Sequence, residues 1–424
     1  MKSLIKRFTP AFLINWYHLI LAFFGALIYR FPSRKLKVIG VTGTGGKSTV
    51  VELASKILEE AGYKVASISS IRFRIKDKKW KNELKMTMPG RFKIQRFLRK
   101  AVNAGCQYAI LEVTSEGILQ HRQKFIDFDI AVFTNLSPEH IERHGSFEKY
   151  RETKGKLFKQ CKKIHILNLD DKNSEYFLQF SAKKFGFSIY GGQTSFGGLT
   201  SVIGKNIQEF PDKISFEIKN TKFTLNFFGK FNVQNALAAI CIGLSQGVSL
   251  ETCKRALEKV EGIPGRMEIV IKEPFTVVVD YAHTPESLRK VYETVKYSIS
   301  HVPCSMICVL GSCGGGRDKW KRPKMGEIAA KYCQEIIVTN EDPYDENPME
   351  IINQVAEGIP GRAKKILDRR EAIREAIKLA REGDIVIITG KGSEPWMCVE
   401  KGKKISWDDR RIVREEFDKL KTKN

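Results

Sequence analysis

The sequence predicts an α/β protein with two sheet domains and an apolar helix in front of them. Apolar runs of strand length alternate with helix-like stretches along most of the chain, which is the pattern of a parallel sheet covered by helices. A glycine-rich turn follows the first of these runs, as it does where a phosphate-binding loop joins a strand to a helix. With 424 residues, 42% of them hydrophobic, the chain is long enough for two or three domains with separate cores.

The N-terminal segment, residues 1–35, contains an apolar run from 11 to 29 in which only Asn15 and His18 are strongly polar. A run of this length is just enough to cross a bilayer. Because aromatic residues and His18 break the run midway, a helix in the membrane interface or packed on the protein body is the alternative. We expect membrane contact and no cleaved signal peptide, since no small-residue cleavage site follows Tyr29. The flanking basic residues are Lys2, Lys6, Arg7, Arg30, Arg34, Lys35 and Lys37.

Residues 36–262 are expected to form a P-loop ATPase domain with a mostly parallel sheet. The run LKVIGV at 36–41 indicates a buried strand that enters the glycine-rich turn, and residues 48–62 indicate the helix after it. Residues 195–228 switch to short alternating runs, which favour a hairpin-rich insertion. Further strands of the sheet are predicted at 108–113, 130–136 and 164–169.

Residues 263–424 are expected to form a second, Rossmann-like domain. Gly262, Pro264 and Gly265 mark a linker in front of it. Five strand-like runs separated by helices then follow, as a doubly wound sheet requires. These runs are FTVVVDYAH, SMICVLGS, EIIVTN, KKILD and DIVIITG.

The charge balance favours anionic partners. Lys and Arg number 72 against 48 Asp and Glu, a formal net charge of +24, which suits nucleotides, anionic lipid headgroups or nucleic acid equally. The nine cysteines form no Cys-x-x-Cys pair. This usage indicates a reducing cytoplasm and no structural zinc.

The glycine-rich turn has the residues that a triphosphate needs. Its glycines let backbone N–H groups approach phosphate oxygens, Lys47 reaches the β and γ oxygens, and the Ser48 hydroxyl suits Mg²⁺. Five residues, not the usual four, separate Gly40 from Gly46. A plain structural turn of this composition is the alternative. The candidate nucleotide-binding residues are Thr42, Gly43, Thr44, Gly45, Gly46, Lys47, Ser48 and Thr49.

The turn VTGTGGKST resembles the ATP loop of Mur ligases and folylpolyglutamate synthases, with Gly45 where that family usually has Asn. The segment LEVTSEG is similar to a family segment whose glutamate, here Glu112, binds magnesium. FTNLSPEH and YRETKGKLF resemble the stretch that supplies a metal-binding histidine and a carbamylated lysine, here His140 and Lys154. The resemblance therefore implies a metal site of Ser48, Glu112, His140 and Lys154. Taken alone, His140 and Lys154 would be ordinary polar surface residues.

Three further motifs resemble the family around the nucleotide. GKFNVQNA implies Asn232 and Asn235 near ATP, although these residues otherwise suit a helix cap. PGRME and DYAHTP resemble the tripeptide-synthase branch of the family. They imply that Arg266 and Asp280 hold ATP at the interdomain cleft, with His283 as a candidate catalytic residue.

The C-terminal motifs imply the amino-acid site. GSCGGGRDKWKRPKMG resembles a family loop whose arginine, here Arg317, faces an anionic substrate, and GKGSE implies that Glu394 faces the incoming amino group. Relatives that select meso-diaminopimelate carry DNPR where this chain has Glu341 to Tyr344, so the arginine that clamps the distal carboxylate is replaced by Tyr344. Asp342 and its acidic neighbours suit an amino acid with a side-chain ammonium, such as lysine, or else form a solvated turn.

The resemblance implies an ATP- and Mg²⁺-dependent ligase that joins an amino acid to a muramyl-peptide-like carboxylate through an acyl phosphate. Family members place a uridine-nucleotide-binding domain before the ATP loop, where this sequence has about 40 mostly apolar residues. We therefore expect that domain to be lacking and the acceptor to be lipid-linked or presented by a partner. The alternatives are a folylpolyglutamate synthase, a non-catalytic subunit of an amidotransferase complex, and a nucleic-acid-binding protein. No recognition motif in the sequence supports nucleic-acid binding.

Overall fold

The computed structural model describes residues 10–84, 86–191, 199–298 and 305–422. Lys2, Lys6 and Arg7, the basic residues in front of the apolar run, lie outside this range. The α-helices are α1 (Ala11–Ile28), α2 (Lys47–Glu60), α3 (Arg91–Asn103), α4 (Ser115–Leu119), α5 (Ile141–His144), α6 (Phe147–Gln160), α7 (Ser174–Leu178), α8 (Lys230–Ser245), α9 (Leu250–Glu258), α10 (Pro285–Ser298), α11 (Lys321–Tyr332), α12 (Pro348–Ala356), α13 (Arg369–Leu379) and α14 (Asp409–Lys421).

The strands of the N-terminal half are β1 (Lys37–Thr42), β2 (Val65–Ile68), β3 (Arg72–Ile75), β4 (Lys78–Lys81), β5 (Tyr108–Glu112), β6 (Ile130–Phe133), β7 (Ile164–Asn168), β8 (Lys183–Ser188), β9 (Leu199–Ile203), β10 (Lys205–Glu209), β11 (Ile214–Ile218) and β12 (Thr221–Leu225). Those of the C-terminal half are β13 (Glu268–Ile271), β14 (Thr276–Val279), β15 (Met306–Leu310), β16 (Glu335–Thr339), β17 (Ala363–Ile366), β18 (Ile385–Ile388), β19 (Trp396–Cys398) and β20 (Lys404–Ser406).

The first sheet has nine strands in the order β4-β3-β2-β5-β1-β6-β7-β8-β9, parallel from β2 to β9 with the antiparallel pairs β2–β3 and β3–β4 at one edge. Helices α2, α8 and α9 bury their apolar faces on one side, and α3, α6 and α7 on the other. The chain runs from β1 toward opposite edges of the sheet, so the carboxyl end of β1 is a switch point where α/β proteins bind ligands. The predicted mostly parallel sheet is confirmed.

The predicted hairpin insertion is only partly right. Residues 192–198 lie outside the described part of the chain, and β9 joins the first sheet in parallel to β8. Strands β10 to β12 do form a separate antiparallel sheet, and it packs on α8 and α9 through residues such as Phe216 and Phe223.

The second sheet has six strands in the order β13-β14-β18-β15-β16-β17. All five predicted runs become its parallel strands, and the antiparallel edge strand β13 is an addition. Helices α10, α11 and α12 cover one face, and α13 and α14 cover the other. The predicted Rossmann-like architecture is therefore present, while the domain limits at 35/36 and 262/263 stay a prediction.

The predicted N-terminal helix exists as α1, which packs against α3. Ala22 and Ala26 are buried in this contact, and a side chain at Gly25 would lie 3.6 Å from the backbone of Arg91. Among the residues that the structure describes, no helix is long and apolar enough to cross a membrane.

A buried ion pair joins α13 to α14, and its loss is expected to destabilise the second sheet strongly. Arg369 contacts both carboxylate oxygens of Asp409, at 2.9 and 2.7 Å, and both side chains are fully buried. Arg369→Met would leave the Asp409 carboxylate unpaired, which costs about 3–5 kcal/mol of unfolding free energy. Urea unfolding measures the change. Arg411→Met removes an exposed pair instead and is expected to cost about 0.5 kcal/mol or less, so equal losses in the two variants would refute the prediction.

Candidate active site

The phosphate loop joins the carboxyl end of β1 to α2 and is held by the strand end of β6. Thr44 N–H donates to the Asn135 carbonyl (2.9 Å), and Gly45 N–H donates to the Asn135 side chain (2.8 Å). Gly46 has a φ of 79°, and a Cβ there would lie 2.2 Å from Asn235 Oδ1, so this position requires glycine. At Gly45, the family departure, a Cβ would meet nothing closer than 3.7 Å. The space around Gly45 would therefore accommodate the Cβ of the asparagine that the family usually has there.

Ser48 and Glu112 form a pair of oxygen ligands beside this loop. The Ser48 hydroxyl donates to Glu112 Oε2 at 2.7 Å, and Ser70 N–H donates to the same oxygen at 2.9 Å. A hydroxyl and a carboxylate are hard donors of the kind that hold Mg²⁺ when phosphate oxygens and waters complete its coordination. Within the described residues, no group of three or more His, Cys, Asp or Glu side chains is arranged to hold a metal ion. The pair thus fits a magnesium ion that arrives with a nucleotide.

Two lysines converge on one backbone carbonyl of the loop. Lys47 Nζ and Lys154 Nζ donate to the Gly43 carbonyl at 3.1 and 2.8 Å. Burial, and next the charge of Lys47, hold the pKa of Lys154 well below its usual range. Burial also lowers the pKa of Lys47, against the opposing effect of Glu112. Burial thus favours the neutral form of the Lys154 amine, next to the phosphate loop.

His140 is the first residue before α5 and lies in the left-handed region with a φ of 57°. Burial lowers the pKa of its imidazole to about 4, despite the nearby Glu139 carboxylate at 3.9 Å. Its ring contacts the Tyr150 ring, over which the Lys154 amine also lies at 4.6 Å. His140 is therefore a neutral imidazole near Lys154.

We expect His140 to stay neutral from about pH 5 to pH 8, because the pKa of its imidazole is lowered to about 4. A two-dimensional NMR titration of the histidine ring nitrogens measures this directly, and the His140→Gln variant assigns the signal. A titration midpoint near the ordinary value of about 6.5 would contradict the prediction.

Glu139 joins the two sheets at the centre of the cleft and was missed by the sequence analysis. Its buried carboxylate lies 3.5 Å from His283 Nε2 and 3.9 Å from Lys321 Nζ, both of which belong to the second sheet region. Burial would raise the pKa of Glu139, but its hydrogen bond with His283 and the charges around it hold that pKa well below the ordinary value. Glu139 is thus an ionised carboxylate shared by both halves of the cleft.

The segment after the linker ties the nucleotide loop to the second sheet. The Arg266 guanidinium stacks on the Tyr281 ring at 4.2 Å and reaches the hydroxyl of Ser48 at 3.4 Å. The Asp280 carboxylate accepts the backbone N–H groups of Met267 and Ala282, each at 2.7 Å. Asp280 therefore fixes the backbone that presents Arg266 to the loop.

A second connection closes the outer side of the cleft. The Asp318 carboxylate accepts the backbone N–H groups of Ile141 and Glu142, at 3.2 and 3.1 Å, at the start of α5. Lys319 N–H donates to the Glu142 carboxylate at 2.9 Å. The loop that carries Arg317 is thereby bound to the helix that follows His140.

The predicted amino-acid side of the cleft lies at the carboxyl ends of β16 and β18. Lys391 Nζ contacts the Asp342 carboxylate at 3.0 Å and also the Glu394 carboxylate, which accepts the Tyr281 hydroxyl at 2.9 Å. Burial would lower the pKa of Lys391, but Glu394 and Asp342 outweigh it and hold that pKa above its ordinary value. Asp342 is therefore already paired with a cation of the chain.

All the predicted site residues except Thr42 and Asn232 line one cleft between the two sheets, with a cavity of about 540 Å³. The Thr42 side chain is buried at the end of β1. The Asn232 amide donates to the Phe228 carbonyl at 2.8 Å and its oxygen accepts from Asn235 at 3.1 Å, so it positions Asn235. The catalytic and binding roles of these residues stay predictions.

The two-sheet fold and the phosphate loop in this cleft are those expected of an ATP-dependent ligase that joins a carboxylate to an amine. Two family models match the chain, "Mur ligase middle domain" over residues 41–243 and "Mur ligase, glutamate ligase domain" over residues 265–392. The chain belongs to the Mur ligase family.

Relatives and solved structures agree with this assignment. A UDP-N-acetylmuramoyl-L-alanyl-D-glutamate–2,6-diaminopimelate ligase of Caldanaerobacter subterraneus is 39% identical over 395 residues, which cover 91% of this chain and 79% of the relative. A UDP-N-acetylmuramyl-tripeptide synthetase of Roseiflexus is 36% identical, over 91% of this chain and 79% of the relative.

A solved structure of a UDP-N-acetylmuramoyl-L-alanyl-D-glutamate–2,6-diaminopimelate ligase matches with a TM-score of 0.60 and 30% identity, over 91% of this chain and 79% of that one. A Mycobacterium tuberculosis folylpolyglutamate synthase matches with a TM-score of 0.71 but only 16% identity, over 88% of this chain and 92% of that one, which shows the shared fold alone.

Proposed function

We propose that this protein adds the third amino acid to the peptide stem of a muramyl peptide, in an ADP-forming reaction that passes through an acyl phosphate. The observation that carries the proposal is the cleft in which the phosphate loop of the first sheet faces Asp342 and Glu394 of the second. Relatives named as a diaminopimelate ligase and as a UDP-N-acetylmuramyl-tripeptide synthetase support the same reaction step here.

The first half of the reaction transfers a phosphoryl group. An oxygen of the acceptor carboxylate attacks the γ-phosphorus of ATP, and the bond between that phosphorus and ADP breaks. Lys47 stabilises the charge on the phosphate oxygens, and Arg266 lies next to the Ser48 hydroxyl at the same place. Ser48 and Glu112 would hold Mg²⁺, which supplies further positive charge to the phosphates.

The second half forms the amide. The amine nitrogen attacks the acyl carbon, inorganic phosphate leaves, and the nitrogen loses a proton. Glu394 is placed to orient the amine, because its carboxylate is fixed by Lys391 and Tyr281. The contacts of Glu139 and Asp318 hold the two halves of the cleft together, and closure of a cleft protects a hydrolysable intermediate such as an acyl phosphate from water.

Lys154 is proposed to act as a carbamate. Its amine, in the neutral form that burial favours, can attack CO₂, which forms an N–C bond, releases one proton and gives the side chain an anionic oxygen ligand. Such an oxygen, together with the neutral imidazole of His140, would suit a second Mg²⁺ on the phosphates.

The incoming amino acid is proposed to be L-lysine in preference to meso-diaminopimelate. Tyr344 stands where a clamping arginine would bind the distal carboxylate, and its ring packs on Gly315. Lys391 contacts both Asp342 and Glu394, and these two carboxylates lie in the cleft where they would attract a side-chain ammonium group. We place the reaction in the cytoplasm, where ATP is available, with a free amino acid and a muramyl-peptide acceptor as its partners.

Phosphate release from Mg-ATP tests the proposal, with UDP-muramyl dipeptide and each amino acid supplied in turn. Release that needs both substrates supports the ligase, and release that needs neither refutes it. We expect Tyr344→Arg to raise the use of meso-diaminopimelate relative to lysine by about tenfold, since a guanidinium–carboxylate contact contributes about 1.4 kcal/mol or more. Unchanged selectivity in Tyr344→Arg would overturn the role of Tyr344 and leave the ligase reaction standing.

A further inference from the structure

Helix α1 presents its apolar side chains to the outside of the protein. Its contact with α3 is made by the small residues Ala22, Gly25 and Ala26. The Asn15 side chain is exposed but contacts the ring of His121 on the protein body. Small residues inside with large apolar residues outside are the reverse of the pattern of a helix on a water-soluble domain.

The outward face of α1 is a continuous apolar patch. Nine of the twenty large apolar side chains exposed in the described part of the chain lie on this one helix, each of them at least 41% exposed. Their spacing of three and four residues places them along one side of the helix. They are Phe12, Leu13, Trp16, Tyr17, Ile20, Phe23, Phe24, Leu27 and Ile28. An exposed apolar patch of this size on a monomer marks a surface that binds a membrane or another protein.

Basic side chains surround this patch. Helix α3, on which α1 packs, carries five cations and no acidic residue over Arg91–Asn103. The β3–β4 hairpin also packs on α3, where Trp80 contacts Phe97 at 6.4 Å between ring centroids, and strand β4 has the sequence KKWK with all four side chains exposed. Arg30, Arg34 and Lys35 follow α1 directly and add exposed or partly exposed cations at its C-terminal end.

We propose that α1 docks this protein on a bilayer surface that carries anionic lipid headgroups, with the helix lying along the interface. The apolar face enters the boundary between headgroups and acyl chains, Trp16 and Tyr17 sit at headgroup depth, and the surrounding cations attract the anionic headgroups. A second copy of the chain fits this face less well. Two patches packed face to face would bring the basic rim of α3 against that of its partner.

Vesicle flotation with the full chain tests the proposal. The probes are vesicles of phosphatidylcholine alone and of phosphatidylcholine mixed with phosphatidylglycerol, at low and at high salt. We expect flotation with the anionic vesicles, a weaker signal with neutral vesicles or at high salt, and release by an alkaline carbonate wash. The triple variant Trp16→Gln, Ile20→Gln, Phe24→Gln is expected to bind at least about tenfold less, because the apolar contact supplies most of the affinity.

A matched triple variant controls for the loss of surface apolar area. Tyr297→Gln, Leu367→Gln, Ile405→Gln changes three side chains of similar exposure elsewhere and should float like the parent protein. Phosphate release by all three proteins with soluble substrates should be equal, which separates docking from the proposed ligase reaction.

Equal flotation of both triple variants would overturn the proposal, as would no flotation of the parent protein. A dimer that the α1 variant abolishes, without vesicle binding, would assign the face to a second copy. Retention after the carbonate wash would replace surface docking with insertion across the bilayer.

Discussion

Lys154→Ala is expected to lower turnover by about three orders of magnitude, because it removes the proposed carbamate ligand beside the phosphate loop. Burial and the charge of Lys47 lower the pKa of this amine, which favours its neutral form, and only a neutral amine reacts with CO₂. The amine donates to the Gly43 carbonyl at 2.8 Å, so its position next to the phosphate loop is fixed. Steady-state phosphate release gives the size of the loss.

Two further measurements separate a carbamate from a plain amine. Formate or acetate, added to Lys154→Ala, should restore part of the activity by placing a carboxylate in the space that the side chain leaves. Removal of CO₂ and bicarbonate should slow the parent enzyme. Lys156→Ala, on the exposed side of the same helix, is the control and should keep full activity. Full turnover of the parent protein without CO₂ would exclude the carbamate.

Glu112→Gln is expected to lower turnover by about 100-fold or more and to raise the Mg²⁺ concentration that half-maximal activity requires. The amide keeps an oxygen that accepts from Ser48 and Ser70, which lie at 2.7 and 2.9 Å, but it lacks the negative charge that attracts the cation. The fold should therefore survive while the metal site weakens. A Mg²⁺ titration of phosphate release measures both effects.

Glu60→Gln provides the comparison for this variant. Glu60 lies at the end of α2, outside the cleft, and pairs with Lys259 near the surface. Its replacement should leave both turnover and the Mg²⁺ requirement unchanged. If Glu112→Gln behaved in the same way, Glu112 would not be a metal ligand.

The parts of the site that the sequence predicted well are those that a short segment determines. The phosphate loop needs a strand, glycines and a helix start within about ten residues, and β1 and α2 begin and end within two residues of the predicted limits. The strand ends that carry Asp280, Asp342 and Lys391 were predictable for the same reason, since apolar runs of strand length precede each of them.

The features that the sequence did not predict depend on contacts between distant segments. Glu139 looks like any glutamate beside a proline until His283 and Lys321 are brought to its carboxylate. Asn232 and Asn235 are one helical turn apart and equally plausible from the motif, but only Asn235 lies against the loop at Gly46. Strand β9 has the same alternating residues as a hairpin strand, so its partner β8 could not be inferred from local pattern.

The hydrogen bonds that Asp318 accepts from the start of α5 couple the two halves of the cleft. They join residues 177 and 176 positions apart, so the Arg317 loop and the residues around His140 are held in place together. In the proposed reaction, an acyl phosphate made beside the phosphate loop is sheltered only while the second half of the cleft is also engaged. We therefore expect ATP to be consumed productively only when both the acceptor and the amino acid are bound.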